Sequence, residues 1–160
     1  MPGLDDVTAD DFRAALSRWA SGVTIVTAAG PVGMTVSAFS SLSLDPPLIL
    51  VSLARAAATH DPVLAAPGFA VHILEDDQAE LSHRFATAQD RFNGLDWSTG
   101  PYGAPLLHGG VARIACERHA TVDGGDHTIL IGRVVQVDVH AGEPLLYYCG
   151  AYRGLAPIDD

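Results

Sequence analysis

The chain has no lysine, and all 9 of its cationic side chains are arginines. This absence excludes reactions that need an internal lysine, such as Schiff-base chemistry with pyridoxal phosphate and phosphate-loop or kinase-type phosphoryl transfer. The 19 acidic residues give a net charge of -10, which argues against general binding to nucleic acid. Recognition of an anion must therefore rely on arginines, hydroxyl groups, backbone amides and helix N-termini.

Long apolar runs and cysteines are also scarce. No segment approaches the roughly 20 apolar residues that a membrane span needs, and the N-terminus lacks the positive start of a secretory signal. We therefore expect a cytoplasmic protein without a membrane partner. The two cysteines, Cys116 and Cys149, are expected to be reduced thiols. Cys116 and His119 are three positions apart on a predicted strand and point to opposite faces, so a metal site is not expected.

The length of 160 residues and the hydrophobic content of 48% predict one domain, residues 1–160, with its core at about 12–155. Periodicity and capping residues predict helices near 9–20, 59–66 and 76–86. Strands are predicted at 23–28, 48–51, 69–74 and 145–149, and a long hairpin at 111–122 and 128–139. Residues 87–107 and 150–154 are predicted to be loops.

The segment 33–53 is predicted to form two strands joined by a proline turn, with residues 33–44 as the first. One face of that strand carries Val36, Ala38, Leu42 and Leu44 and is expected to pack. The opposite face carries hydroxyl groups, contributed by Thr35, Ser37, Ser41 and Ser43. Such a face is either solvated or lies along a polar ligand, because hydroxyl groups donate and accept hydrogen bonds without carrying charge.

Two further features leave alternatives open. Arg55 precedes a predicted helix start near Thr59, so it is either part of an anion site or a solvated cation. His127 follows a glycine turn, and it is either a strand histidine bonded to backbone or a ligand contact.

The sequence has no Gly-x-Ser-x-Gly and no Gly-x-Gly-x-x-Gly, which disfavours a serine nucleophile and a Rossmann dinucleotide site.

Four segments, taken in order, carry a family resemblance: Gly-Val-Thr-Ile-Val-Thr (22–27), Gly-Met-Thr-Val-Ser-Ala-Phe-Ser-Ser-Leu-Ser-Leu-Asp-Pro-Pro-Leu (33–48), Gly-Asp-His-Thr (125–128) and Pro-Leu-Leu-Tyr-Tyr (144–148). In these segments the sequence resembles the short-chain flavin reductases of two-component monooxygenases. It implies a mainly β fold with flanking helices, the FMN-binding split β-barrel, and a homodimer with the flavin site near the subunit interface.

The resemblance also implies site residues. The flavin ring and ribityl chain are expected to contact Met34, Thr35, Val36, Ser37, Ser40 and Ser41. The phosphate side is expected to involve Ser52, Leu53, Ala54, Thr59 and His60, with Phe85 and Arg91 bordering the pocket. His127 and Tyr152 are expected to face the nicotinamide nucleotide, His127 as a positioning group. Relatives carry further serines where this chain has Arg55-Ala56-Ala57-Ala58, so Arg55 is expected to supply a charge-assisted contact instead.

The implied function is reduction of FMN or FAD by NADH, or by NADPH, with the reduced flavin passing to a separate oxygenase. Hydride transfer is the chemistry of the cofactors, so the protein needs to hold them in register and no strong acid or base is required. Two alternatives remain at this stage. One is a flavin-binding electron-transfer or sensor module on the same barrel, and the other is a non-catalytic dimeric scaffold.

Overall fold

The computed structural model describes residues 6–158 and is mainly β, with three α-helices on its surface. The helices are α1 (Ala9–Leu16), α2 (His60–Ala65) and α3 (Ala79–Thr87), with a short 3-10 turn at Pro101–Gly103. The strands are β1 (Ser21–Gly22), β2 (Thr24–Ala28), β3 (Val32–Val36), β4 (Phe39–Leu44), β5 (Pro47–Ala54), β6 (Gly68–Ile73), β7 (Trp97–Thr99), β8 (Pro105–Leu107), β9 (Ala112–Gly124), β10 (His127–Val139), β11 (Leu146–Tyr148) and β12 (Ala151–Arg153).

The main sheet has seven strands in the order β3-β2-β6-β9-β10-β5-β4, so its two edges are strands that follow one another in the chain. A flat sheet of this size would separate the edges by about 29 Å, since neighbouring strands lie about 4.8 Å apart. Only Ser37 and Ala38 join β3 to β4, and three Cα steps span at most about 11 Å. The sheet must therefore curl until its edges approach without pairing, which is the predicted split barrel.

The barrel interior is filled mainly from β2, β3, β5, β6, β9 and β10, and Phe39 of the edge strand β4 packs against the same core cluster. Val26, Val51, Leu53, Val71 and Leu130 are all completely shielded from solvent within one core cluster. Strand β5 alternates buried and part-exposed residues, although residues 48–51 are continuously apolar. One face of β5 packs inside the barrel and the other is left available at the surface.

The prediction of one strand over 33–44 was wrong, because the chain leaves the sheet edge at Ser37 and Ala38 and resumes on the opposite edge. The alternation of faces restarts at Phe39. Leu42 and Leu44, expected to pack, are 48% and 96% exposed. The sequence gives no sign of this break, since neither glycine nor proline marks it.

Four other boundaries differ from the prediction. Helix α1 ends at Leu16 rather than near residue 20, and none of its residues is buried. The predicted loop at 150–154 contains β12, which pairs with β11. The predicted loop at 87–107 contains the short pair β7 and β8. The turn between β9 and β10 is also tighter than predicted, since Gly124 already pairs with His127 across two loop residues.

Within residues 6–158, no helix is both long enough and apolar enough to cross a membrane. The thiols of Cys116 and Cys149 are both free, the first buried and the second exposed.

Candidate functional site

A cavity of about 850 Å³ opens between the C-terminal end of α1, the outer face of β4 and β5, and β11. We call it the serine cavity, because five serines line it: Ser17, Ser21, Ser37, Ser40 and Ser52. Aromatic walls complete it, from Trp19, Phe39, Tyr147 and Tyr148. Mostly apolar walls with a few directed polar groups and a volume of this size are typical of sites for cofactors and substrates.

Positive charge is present at this cavity despite the acidic chain. Arg13 lines it directly. Arg18 lies beside it, where a hydrogen bond with the Tyr148 side chain, followed by the charge of Cys149, raises the pKa of the Arg18 guanidinium. The serine cavity is therefore suited to a ligand that is largely uncharged but carries an anionic group.

A second cavity of about 550 Å³ lies at the start of β3. Its wall includes Gly33, Thr59, Arg91 and Phe92. Arg91 donates from Nη1 to the carbonyl oxygen of Gly33 over 2.5 Å and from Nε to that of Ala88 over 2.8 Å. Burial lowers the pKa of Arg91. Two of its five N–H groups are thus committed to backbone, and the rest remain available to an anion in this cavity.

His60, predicted on the phosphate side, is buried, and both of its ring nitrogens have partners. Nδ1 lies 2.7 Å from Oδ1 of Asp61, and Nε2 lies 2.9 Å from Oγ1 of Thr128. Because a carboxylate only accepts, Nδ1 donates to Asp61, and Nε2 shares a hydrogen bond with the Thr128 hydroxyl. His60 thus connects α2 to β10 and has no nitrogen left for a phosphate in this arrangement.

Arg55 is held by the turn between β9 and β10. Its Nη2 lies 2.6 Å from Oδ1 of Asp123, its Nε donates to the carbonyl oxygen of His127 over 3.3 Å, and its backbone N–H donates to Asp126. The Arg55 side chain is half-exposed. A phosphate contact from Arg55 would therefore have to compete with Asp123.

His127 opens β10 and pairs with Ala54 at the end of β5. Its Nδ1 lies 2.7 Å from Oδ1 of Asp126, so Nδ1 carries the proton and Nε2 is free. The hydrogen bond with His127 and the charge of that ring lower the pKa of the exposed Asp126 carboxyl. The side chain of His127 is 42% exposed, which leaves Nε2 accessible to a ligand.

Several predicted contact residues lie in the core rather than at a cavity surface. Leu53 and Phe85 are completely buried, and Met34 and Val36 nearly so. Thr59 Oγ1 donates to Met34 Sδ over 3.3 Å, which ties α2 to β3. Any contact that β3 and β5 make with a ligand at Met34, Val36 or Leu53 must then come largely from the backbone.

The remaining predicted residues divide between the surface and α3. Ser41 is exposed on β4 and pairs with Ile49. Thr35 donates to the carbonyl oxygen of Ser82, and Tyr152 shares a hydrogen bond with the Ser82 hydroxyl. Ser37, Ser40 and Ser52 are the predicted residues that the structure brings together at the serine cavity.

Sequence reasoning missed the half of the serine cavity that comes from 13–21 and 147–150. Leu16 and Trp19 recur at helical spacing within the helix predicted near 9–20, yet they are 55% and 77% exposed and line the cavity. Tyr147 and Tyr148 were interpreted only as strand residues. The available sequence signal was an apolar helix face next to Ser17 and Ser21. Helical periodicity alone does not distinguish an apolar face that lines a cavity from one that packs in the core.

Comparison with known proteins places the chain in a family. The model of the flavin reductase like domain matches residues 16–156, and this protein belongs to that family. It is similar to an FMN reductase (NADH) of Agrobacterium fabrum, 44% identical over 144 residues that cover 88% of this chain and 83% of that protein. It is also similar to the reductase subunit of a flavin-dependent monooxygenase of Rhodococcus jostii, 36% identical over 151 residues that cover 91% of this chain and 77% of that protein.

A solved structure supports the same assignment. The NADH:FAD oxidoreductase of Streptomyces globisporus, in complex with NAD and FAD fragments, superposes with a TM-score of 0.91 at 38% identity, covering 100% of both chains. The predicted fold and the family resemblance are thereby confirmed.

Proposed function

We propose that this protein is a flavin reductase that transfers hydride from NADH to FMN or FAD and supplies the reduced flavin to a separate oxygenase. The observation that carries the proposal is the serine cavity, together with membership of the flavin reductase like family. Relatives include an NADH-dependent FMN reductase and a monooxygenase reductase subunit. The reaction consumes NADH, which is consistent with a cytoplasmic location.

The residues of the serine cavity fit a flavin. Its hydroxyl groups offer both donors and acceptors to the heteroatoms of the isoalloxazine edge, and its aromatic walls offer flat apolar surface. The ring and ribityl chain are assigned to the segment 34–41, and Ser52, predicted on the phosphate side, is assigned to the ring as well because it lines the same cavity as Ser37 and Ser40. The phosphate is assigned to the second cavity, whose wall includes Thr59 and Arg91.

The protein contributes binding and orientation to this reaction. When bound, the flavin accepts hydride at its ring from the nicotinamide of NADH. Ser37, Ser40 and Ser52 fix the plane of the ring, and the aromatic walls exclude water from it. Holding the two rings at near-attack distance lowers the barrier without any group on the protein that must gain or lose a proton.

His127 is assigned to the nicotinamide nucleotide as a positioning group. The Nδ1 contact with Asp126 leaves Nε2 accessible for a hydrogen bond to a polar group such as a carboxamide. Replacing His127 by alanine is expected to raise the KM for NADH about three- to tenfold, the loss of one hydrogen bond, while the flavin Kd changes little. The exposed His119 on β9 is a matched control, and unchanged NADH kinetics in His127→Ala would contradict the role.

The direct test is anaerobic turnover. Purified protein is mixed with NADH and either catalytic or excess FMN, and NADH absorbance at about 340 nm is followed together with flavin bleaching. We expect multiple turnovers whose rate scales with free flavin, as a reductase that releases its product requires. A mixture without protein is the control. Absence of bleaching with both flavins and both nicotinamide nucleotides would refute the proposed function.

A homodimer is part of the proposal. Helix α1 buries none of its residues, and Phe12 and Leu16 on the helix and Trp19 just beyond it are 57%, 55% and 77% exposed. Val135, Val137 and Val139 add a second apolar stripe on β10. Surfaces of this kind mark interaction sites. We expect light scattering after gel filtration to give twice the mass of 16.7 kDa. A monomer at micromolar concentration would contradict this part.

A further inference from the structure

Ser82 on α3 is a buried polar residue that joins two strands of the proposed site. Its side chain has no exposed surface. Its hydroxyl lies 2.9 Å from the hydroxyl of Tyr152 on β12, and its carbonyl oxygen accepts from Thr35 Oγ1 on β3 over 2.6 Å. One helical residue thus links the strand assigned to the flavin with the tyrosine assigned to the nicotinamide nucleotide.

Tyr152 in turn supports the wall of the serine cavity. Residues Tyr147 and Tyr152 face each other across β11 and β12, with ring centroids 5.5 Å apart and planes inclined by 68°. Tyr147 lines the cavity. The Tyr152 ring packs against the core cluster that includes Phe85 and Leu145. Its orientation is therefore set by packing on one side and by the Ser82 hydroxyl at its tip.

Helix α3 is itself fixed against β3, which makes Ser82 a rigid reference point. The Phe85 ring lies directly over Gly33, where an added Cβ would come within 2.8 Å of the ring. Arg91, just beyond the helix, donates to the carbonyl oxygen of Gly33. A hydroxyl that is fully buried on a helix anchored in this way has no freedom to follow a displaced tyrosine, so the hydrogen bond selects one position of Tyr152.

We propose that Ser82 is a positioning residue for the reductase reaction, holding Tyr152 and the adjoining Tyr147 wall in the orientation that receives the nicotinamide nucleotide. The inference rests on the proposed function. The inference predicts different effects on NADH and on flavin. The hydrogen bond from Thr35 goes to the backbone carbonyl of Ser82, so a change of the Ser82 side chain preserves it. The hydrogen bond to Tyr152 requires the Ser82 hydroxyl and is lost with it. Loss of the hydroxyl should then affect NADH and leave flavin binding intact.

The test is a double-mutant cycle of Ser82→Ala and Tyr152→Phe, which remove the same hydrogen bond from opposite ends. The KM for NADH is measured in steady state, the flavin Kd by fluorescence quenching, and the unfolding midpoint by urea. We expect each single change to raise the KM for NADH about three- to tenfold, the double change to raise it no further, and the flavin Kd to stay within about twofold of wild type.

Three results would overturn the inference. The first is an unchanged KM for NADH in Ser82→Ala. The second is a KM in the double variant that equals the product of the two single effects. The third is a flavin Kd that rises in step with the KM while the stability of the protein falls. Failure of the proposed function is recognised separately, because the wild-type protein would then oxidise no NADH with either flavin. Wild-type turnover combined with a flat Ser82→Ala response refutes the positioning role alone.

Discussion

Gly33 is the position where the packing of the site is most sensitive to one added methyl group. It lies on β3, between the strand β2 and the helix α3. A Cβ built there would lie 2.8 Å from Cε1 of Phe85 and 3.1 Å from the carbonyl oxygen of Val26. Carbon atoms in favourable contact are about 3.5–4.0 Å apart, so the aromatic ring would have to retreat by about 0.7 Å.

The surroundings of Phe85 do not permit that retreat without cost. Its ring is completely buried and meets the Phe92 ring edge-on at a centroid distance of 5.1 Å. The displacement must pass to β3 or α3, and overpacking of this kind costs about 1–3 kcal/mol. We expect Gly33→Ala to lower the free energy of unfolding by that amount.

Flavin binding should weaken in the same variant, because the carbonyl oxygen of Gly33 accepts from Arg91 beside the second cavity. Weakening one or two hydrogen bonds corresponds to a rise in flavin Kd of about three- to tenfold. Urea unfolding and fluorescence titration measure both effects. Gly22→Ala is the control, since no atom lies within 4 Å of its added Cβ. Equal stability and equal flavin affinity of the two variants would refute the argument.

Two more predictions concern buried titratable groups. Burial, followed by the charge of Arg113, lowers the pKa of His72 to about 4, although its hydrogen bond to Ile25 opposes the shift. As the pH falls, the unfolded state binds a proton at this histidine before the folded state does. The contribution to the free energy of unfolding is therefore complete above about pH 6.5, and about 3 kcal/mol of it is lost by pH 4. Urea midpoints across this range test it: a His72→Gln variant should lose that slope, and a slope equal to wild type would contradict it. Burial also raises the pKa of Cys116 to about 12, so iodoacetamide should label the exposed Cys149 and spare Cys116 in the native protein, as mass spectrometry would show. Labelling of Cys116 at a comparable rate would contradict this.

The sequence predicted those parts of the fold whose signals are local. The long hairpin was readable from two β-rich runs around Gly124 and Gly125, and α3 from an acidic start and a basic end. Alternation also identified Ser37 as part of a hydroxyl face, and Ser37 does line the serine cavity. Local signals suffice here because turn chemistry and periodicity act over a few residues.

What the sequence did not reveal depends on contacts between distant segments. The strand predicted over 33–44 is interrupted at Ser37 and Ala38, because the sheet curls and β4 pairs with β5 rather than with β3. Trp19 is exposed because α1 ends before it and no other segment of the described chain covers it, which its helical spacing in the sequence does not reveal. The place of Arg55 before a helix left an anion site and a solvated cation as alternatives, whereas its side chain contacts Asp123, 68 positions away on β9.

The central claim is that the hydroxyl groups of the serine cavity bind the flavin, and the most direct measurement is a fluorescence titration of FMN and FAD. Ser37→Ala with Ser52→Ala removes two of those hydroxyl groups, and Ser43→Ala on β4, outside the cavity wall, is the matched control. We predict a flavin Kd about tenfold higher in the double variant and unchanged in the control. Equal affinity in all three proteins would place the flavin elsewhere and contradict the account.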